Sequence, residues 1–222
     1  MTVLPLDLQI LNTLAALLLL LSFAMLSQRR IVSLVNLLAL QGAILCIATL
    51  LLAWRTGVNH LFVSAFMTLA LKVLFLPWLL HRLIRRLGVY WDTESLLNLV
   101  GTMLVGVLIV IFSFGLAQPI SALASTATRN SIGIAVAVIL IAFLTMITRR
   151  KAMSQVVGFL SMENGLFFAA MSATNGMPMI VELGIALDVL VAMLVLGVFF
   201  FQIREQFDSL DLKHFESLKE EQ

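Results

Sequence analysis

The chain has 222 residues, 61% of them hydrophobic and 12% charged, with a formal net charge of +2 and a mean hydropathy of +1.08. Soluble domains lie nearer half apolar and a quarter charged, so this composition excludes an ordinary soluble domain and indicates a membrane protein. One cysteine, Cys46, excludes an internal disulfide, and His60, His81 and His214 show no ligand spacing. No metal, cofactor or catalytic site is therefore expected in the chain itself, and no nucleic-acid partner.

The start, "MTVLPLDLQILNTL", has no basic stretch ahead of its apolar run, so no cleaved leader is expected. Seven stretches then approach the roughly 20 residues that cross a bilayer: 6–27, 31–54, 59–80, 96–117, 131–148, 153–174 and 178–202. In hydrocarbon every backbone polar group must be paired within a helix or a closed barrel. None of the runs alternates polar with apolar as barrel strands do, which leaves an all-α protein of about seven transmembrane helices. Residues 81–95, "HRLIRRLGVYWDTES", are expected to form the longest connection on the cytoplasmic side, with Tyr90 and Trp91 at headgroup level. The tail from Arg204 to Gln222 places Phe207, Leu210, Phe215 and Leu218 near one face of an amphipathic helix, suited to the membrane surface or to a peripheral partner.

Basic residues set the expected orientation. Arg29, Arg30, Arg82, Arg85, Arg86, Arg149, Arg150, Lys151, Arg204, Lys213 and Lys219 fall on one side, and only Arg55 and Arg129 on the other. By the positive-inside rule the N-terminus lies outside and the C-terminus in the cytoplasm.

The spans also suggest a parallel duplication. "SQRRIVSLVNLLALQGAIL" slides onto "TRRKAMSQVVGFLSMENGLF", bringing Asn36 onto Gly158, Leu38 onto Leu160 and Gln41 onto Glu163. Ala70-Leu71-Lys72-Val73-Leu74 likewise meets Ala186-Leu187-Asp188-Val189-Leu190, with the charge reversed. Both units begin on the same side, so the repeat is parallel rather than inverted. The expected organisation is a first three-helix unit over 1–87, a linking helix with its loops over 88–130, a second three-helix unit over 131–203 and the tail over 204–222.

Four ionisable residues lie within spans: Lys72, Glu163, Glu182 and Asp188. Each costs about 2.5–3.5 kcal/mol at a helix centre on insertion scales, so such groups normally face a bundle interior or water and mark relays or ion pairs. Lys72, Glu163 and Asp188 sit about 10–13 residues into their spans, roughly 15 Å deep at 1.5 Å per residue, whereas Glu182 lies near an outer end. A charged layer parallel to the membrane is expected, able to exchange protons or to respond to a neighbour's protonation. A static salt bridge between Lys72 and Asp188 or Glu163 that only fixes helix register is the competing account. Pro77, five residues after Lys72, withholds an N–H from the Val73 carbonyl and marks a spot that bends. Gly158 and Gly165 flank Glu163 and permit close packing or hydration, while Gln41 and Asn164 are expected to hydrogen-bond between helices.

"GFLSMENGLFFAA", followed by "ELGIALDVLVAMLV", resembles hydrogenase-4 component E, and "ALKVLFLP" in the first half is similar to a lysine–proline stretch of that family. The resemblance covers essentially the whole chain. Its second half is also similar to the K-type subunit of respiratory complex I and to the C subunit of multi-subunit Na⁺/H⁺ antiporters, three-helix proteins with acids in their second and third helices. Glu163 stands where the first acid belongs. Asp188 stands at the second site, one methylene shorter, which puts its reach in doubt. Gln41 and Lys72 replace the acids in the first half.

The resemblance implies a multi-pass subunit of a proton-translocating membrane-bound hydrogenase, or formate hydrogenlyase-type complex, in a bacterial or archaeal cytoplasmic membrane. Its partners would be antiporter-like proton-channel subunits, a membrane anchor subunit and a peripheral arm carrying the [NiFe] centre and iron–sulfur clusters. A subunit of a cation/proton antiporter, a stand-alone transporter and a structural spacer remain as alternatives.

Overall fold

The computed structural model describes residues 6–88, 90, 91, 98–121 and 129–174, and beyond them only 184, 187, 189–191 and 193. The chain divides into two compact units, Met1–Ala186 and Leu187–Gln222. In the second, the described residues are helical. All the helices below belong to the first.

These are α1 (Leu6–Ser27), α2 (Ile31–Thr56), α3 (Asn59–Thr68), a π-helical segment (Leu69–Phe75), α4 (Leu76–Leu87), α5 (Leu99–Ser121), α6 (Arg129–Thr148) and α7 (Ala152–Thr174). The third span runs unbroken through α3, the π segment and α4. Among the described residues six helical stretches are thus long and apolar enough to cross a membrane: Leu8–Ser27, Ile31–Thr56, Leu61–Leu87, Leu99–Gln118, Ser131–Thr148 and Ala152–Ala173. The protein is an all-α membrane protein, and the expected span 178–202 lies almost wholly outside the described residues. One boundary differs from expectation. "HRLIRRL" is not loop but the last two turns of α4, because Leu80, Leu83 and Ile84 recur on one buried face while Arg82, Arg85 and Arg86 stay exposed.

Helix ends are closed locally. Gly57 and Gly88 take the left-handed conformation, φ +68° and +67°, and donate 3.0 Å hydrogen bonds to the Ala53 and Ile84 carbonyls. At the start of α2 the Ile31 N–H reaches the Tyr90 carbonyl (3.1 Å), and the Arg30 guanidinium lies 5.0 Å from the Trp91 ring centroid. The Tyr90 carbonyl thereby supplies a partner to an N–H that a helix start leaves unpaired, and the Trp91 ring supports the adjacent Arg30 cation.

The bundle is built around α1, α2, α6 and α7. α7 packs on α6 and α2, α1 fills the space between α2 and α6, α3 through α4 lean on α2, and α5 packs on α6 and α1. Leu18, Leu45, Val138 and Phe168 meet in the core beside the small residues Ala15, Ala48 and Ala135. Small residues matter here because lipid is as apolar as leucine, so contact distance rather than expulsion from water drives association. Among the described spans α5 is the least covered: Leu104, Leu108, Ile111 and Phe112 are all exposed.

Gly158 and Gly165 set the separation of α6 and α7. A methyl group at Gly165 would lie 2.8 Å from Ile139 Cγ1 and 3.2 Å from the Ile139 nitrogen, and one at Gly158 would lie 2.8 Å from Met146 Cγ. Gly165→Ala gains about 1 kcal/mol of helix propensity and costs about 1–3 kcal/mol of overpacking. A net loss of about 1 kcal/mol is expected in detergent-titrated unfolding; unchanged stability would mean that the two helices are not in van der Waals contact there.

A buried lysine–glutamate pair on a π turn

The site begins with a change of helical register. In the π segment the Leu76 N–H reaches back five residues to the Leu71 carbonyl. Pro77 follows at once and carries no N–H, so position 77 supplies a donor to neither register of the ladder. The weakness expected near Pro77 thus takes the form of one wide turn rather than an open kink, and π turns of this kind concentrate at functional positions. His81 closes the next turn, its Nδ1 lying 2.7 Å from the Pro77 carbonyl oxygen.

Lys72 stands in the middle of that turn with a relative exposure of 4%. Facing it on α7 are Glu163 and Asn164, exposed to 2% and 3%. The Lys72 ammonium forms an ion pair with Glu163 Oε2 and donates a 3.0 Å hydrogen bond to Asn164 Oδ1. It also sits 5.3 Å from the centroid of the Phe167 ring. Glu163 and Phe167 are one helical turn apart and Asn164 is three residues before Phe167, so a single face of α7 presents carboxylate, amide and ring to one cation. Of the two acids that depth offered as partners for Lys72, the described residues pair it with Glu163.

Taking the two charges out of water costs several kcal/mol each. At about 4 Å and an effective dielectric constant near 20 their attraction returns about 4 kcal/mol. The amide and the ring supply further stabilisation to the cation, which is how such a pair persists inside a bundle. Neither charge is tolerable there without the other.

Helix α2 forms the back of the site. A methyl at Gly42 would lie 3.0 Å from Lys72 Cβ and 3.2 Å from the Lys72 carbonyl oxygen, so the glycine lets α2 rest directly on the π turn. Its neighbour Gln41, fully buried, donates through Nε2 to Ser22 Oγ on α1 (3.0 Å), and Ser22 in turn donates to the Leu18 carbonyl (2.9 Å). Among the described residues Gln41 Oε1 and Thr68 Oγ1, the latter one turn before Lys72, are buried without a hydrogen-bond partner. Polar atoms therefore continue from the charge pair along α2 and α3.

Glu182 and Asp188 lie outside the described residues. Between them Gly184 is described: a methyl there would approach the Phe167 ring to 2.7 Å and Glu163 Oε1 to 3.8 Å, so the chain passes directly beside the carboxylate. Gly42, Phe167 and Ser22 were not among the residues singled out by sequence. Phe167 had a signal, its i+4 spacing from Glu163; Ser22 had none. Among the described residues no group of three His, Cys, Asp or Glu side chains is placed to hold a metal ion.

Across 194 residues, 87% of this chain and 88% of the relative, the sequence is 37% identical to uncharacterized protein Rv0085 of Mycobacterium tuberculosis. The chain belongs to the family of that mycobacterial protein. This chain is also 26% identical over 156 residues, 70% of its length and 71% of the relative's, to hydrogenase-4 component E of Escherichia coli and equally to that of Shigella flexneri. No family model matches the chain, and no solved structure matches it.

Proposed function

We propose that the protein is a multi-pass membrane subunit of a hydrogenase complex, in which Lys72 and Glu163 form part of a proton-transfer or coupling axis within the membrane. The observation that carries this reading is the buried Lys72–Glu163–Asn164 cluster on a π turn, and the similarity to hydrogenase-4 component E supports the assignment to such a complex. Moving one proton from the ammonium to the carboxylate turns an ion pair into a neutral amine and acid, with no net charge created. Protonating Glu163 from a neighbour instead leaves Lys72 as an uncompensated cation, which repels the next positive charge along the layer. The first step moves a proton within the pair without creating net charge, whereas the second transmits a protonation event sideways through the electrostatic cost of the cation it leaves unbalanced. In this reading Glu182 and Asp188 extend the axis along the last span, Gln41 continues it on the other side, and the basic ends of the spans face the cytoplasm.

The subunit would sit between antiporter-like proton-channel subunits, a membrane anchor subunit and a peripheral arm that holds the [NiFe] centre and iron–sulfur clusters, in a bacterial or archaeal cytoplasmic membrane. A complex that moves another cation would use the same layer. The spacer account also has an observation in its favour, since Lys72 meets Glu163, Asn164 and Phe167 on one face of α7 and could serve only to fix α7 in place.

The test is purification of the tagged chain from its native membranes in mild detergent, followed by proton-uptake measurements in inverted vesicles. A [NiFe] subunit is expected to copurify. Lys72→Met combined with Glu163→Gln, which removes both charges together, is expected to leave the complex assembled while abolishing most substrate-driven proton uptake; assembled variants that pump normally would defeat the relay role, and isolation of the chain alone would defeat the complex.

A further inference from the structure

The buried pair has two members that can hold a proton, and the seat around the ammonium tells them apart. An ammonium carries three N–H donors and no acceptor, whereas a neutral amine offers two donors and a lone pair. Lys72 aims its ammonium at three groups on one face of α7: Glu163 Oε2, Asn164 Oδ1 at 3.0 Å and the Phe167 ring, whose centroid lies 5.3 Å away. The amide and the ring are neutral, so their hold on the ammonium does not depend on the protonation of Glu163. The amide presents its oxygen, which binds a charged donor about twice as strongly as a neutral one. The face of the ring attracts a cation electrostatically, an attraction that a neutral amine forfeits. Both side chains are buried, where such interactions are weakly screened. Any further acid reaching the ammonium would favour the cation still more. The carboxylate is placed differently. Its Oε2 is engaged by Lys72, while Oε1 lies toward Gly184, where a methyl group would approach it to 3.8 Å.

We infer that Lys72 is a fixed cation, that Glu163 is the member of the pair that takes up and returns the proton, and that Asn164 and Phe167 are positioning residues that hold the Lys72 charge while Glu163 is neutral. Within the coupling role proposed above, on which this assignment rests, the second of the two protonation steps is the one that operates. A proton from a neighbouring carboxylic acid or water adds to Glu163 Oε1, the carboxylate becomes a carboxylic acid, and the ammonium keeps all three of its protons. The signal passed on is then electrostatic, because the cation has lost the anion of its pair. Return of the proton to the donor restores the pair.

Glu163→Gln holds the site in the decisive state, with a neutral amide in place of the protonated acid. Nitrogen NMR of the full-length chain, carrying isotope-labelled lysine in mild detergent, reads Lys72 directly, and Lys72→Met identifies its signal. In Glu163→Gln the Lys72 nitrogen is expected to keep the signature of an ammonium at neutral pH. Adding Asn164→Leu should convert that signature to the neutral amine, a change that a merely structural role of Asn164 would not produce. An amine in Glu163→Gln alone would overturn the fixed cation, and an ammonium that survives Asn164→Leu would overturn the positioning role of the amide. Lys72→Arg in the intact complex decides the matter independently if Glu163→Gln does not fold, because a guanidinium is not deprotonated in proteins. Inverted vesicles with Lys72→Arg should show reduced but measurable substrate-driven proton uptake, well above the double variant Lys72→Met with Glu163→Gln; an assembled Lys72→Arg complex with no uptake would overturn the inference. If vesicles with the native chain show no uptake, the hydrogenase reading fails, and the nitrogen signature still decides which group holds its proton.

Discussion

Lys72→Met alone is expected to destabilise the bundle by about 3–5 kcal/mol, the cost of leaving one member of a buried pair uncompensated. The methionine fills most of the lysine volume, so the loss reports charge rather than a cavity. Glu163 would keep its 2% exposure and lose the cation that makes its burial tolerable. Glu163→Gln should cost a comparable amount, because it removes the anion of the ion pair while leaving the ammonium its hydrogen bond to Asn164 Oδ1 and its contact with the Phe167 ring. The double variant, Lys72→Met with Glu163→Gln, removes both charges of the pair and should recover most of the stability. The recovery is a coupling energy, measured as a double-mutant cycle in detergent-titrated unfolding. Additive losses would show that the two groups do not meet in the folded protein. The same double variant separates function from architecture. As a spacer it should support normal proton uptake, because its helices are held together again. As a relay it should assemble fully and pump poorly.

The span pattern was legible because the bilayer imposes a length, and 31–54 or 131–148 needed only counting against it. The end of the third span was misread for the opposite reason. Past residue 80 the helix is no longer uniformly apolar, and Leu83 and Ile84 had to be recognised by their 3.6-residue period amid four basic or polar neighbours. Lys72 and Glu163 were conspicuous as isolated charges in apolar runs. Their pairing was not, since depth put Glu163 and Asp188 at the same level and only the three-dimensional arrangement of the helices brings Glu163 to the ammonium. The π turn was hidden as well. Pro77 marked a missing donor, but the ladder spreads that defect over Leu69–Phe75, whose residues also suit an ordinary α-helix. Arg149 counted in the sequence only toward orientation, yet it is buried, with its guanidinium donating to the Leu26 carbonyl.

Gly42→Leu is expected to reproduce much of the Lys72→Met phenotype without touching either charge. Even a methyl at position 42 would press on Lys72 Cβ at 3.0 Å and on its carbonyl oxygen at 3.2 Å, and a backbone oxygen cannot rotate aside. Gly42→Ala should therefore cost about 1–3 kcal/mol, the usual range for overpacking. A leucine cannot be seated in that gap, so α2 must separate from the π turn or the turn must shift and draw Lys72 away from α7. The second outcome disrupts the ion pair and adds the charge-burial penalty of about 3–5 kcal/mol. The two outcomes are distinguishable by combining Gly42→Leu with the charge-free double variant. If the leucine acts through Lys72, its cost should shrink by the coupling energy once both charges are gone; if it only separates α2, the cost should stay the same. A leucine tolerated with no loss at all would mean that α2 does not rest on the π turn, and the rigid backing of the charge pair would have to come from α7 alone.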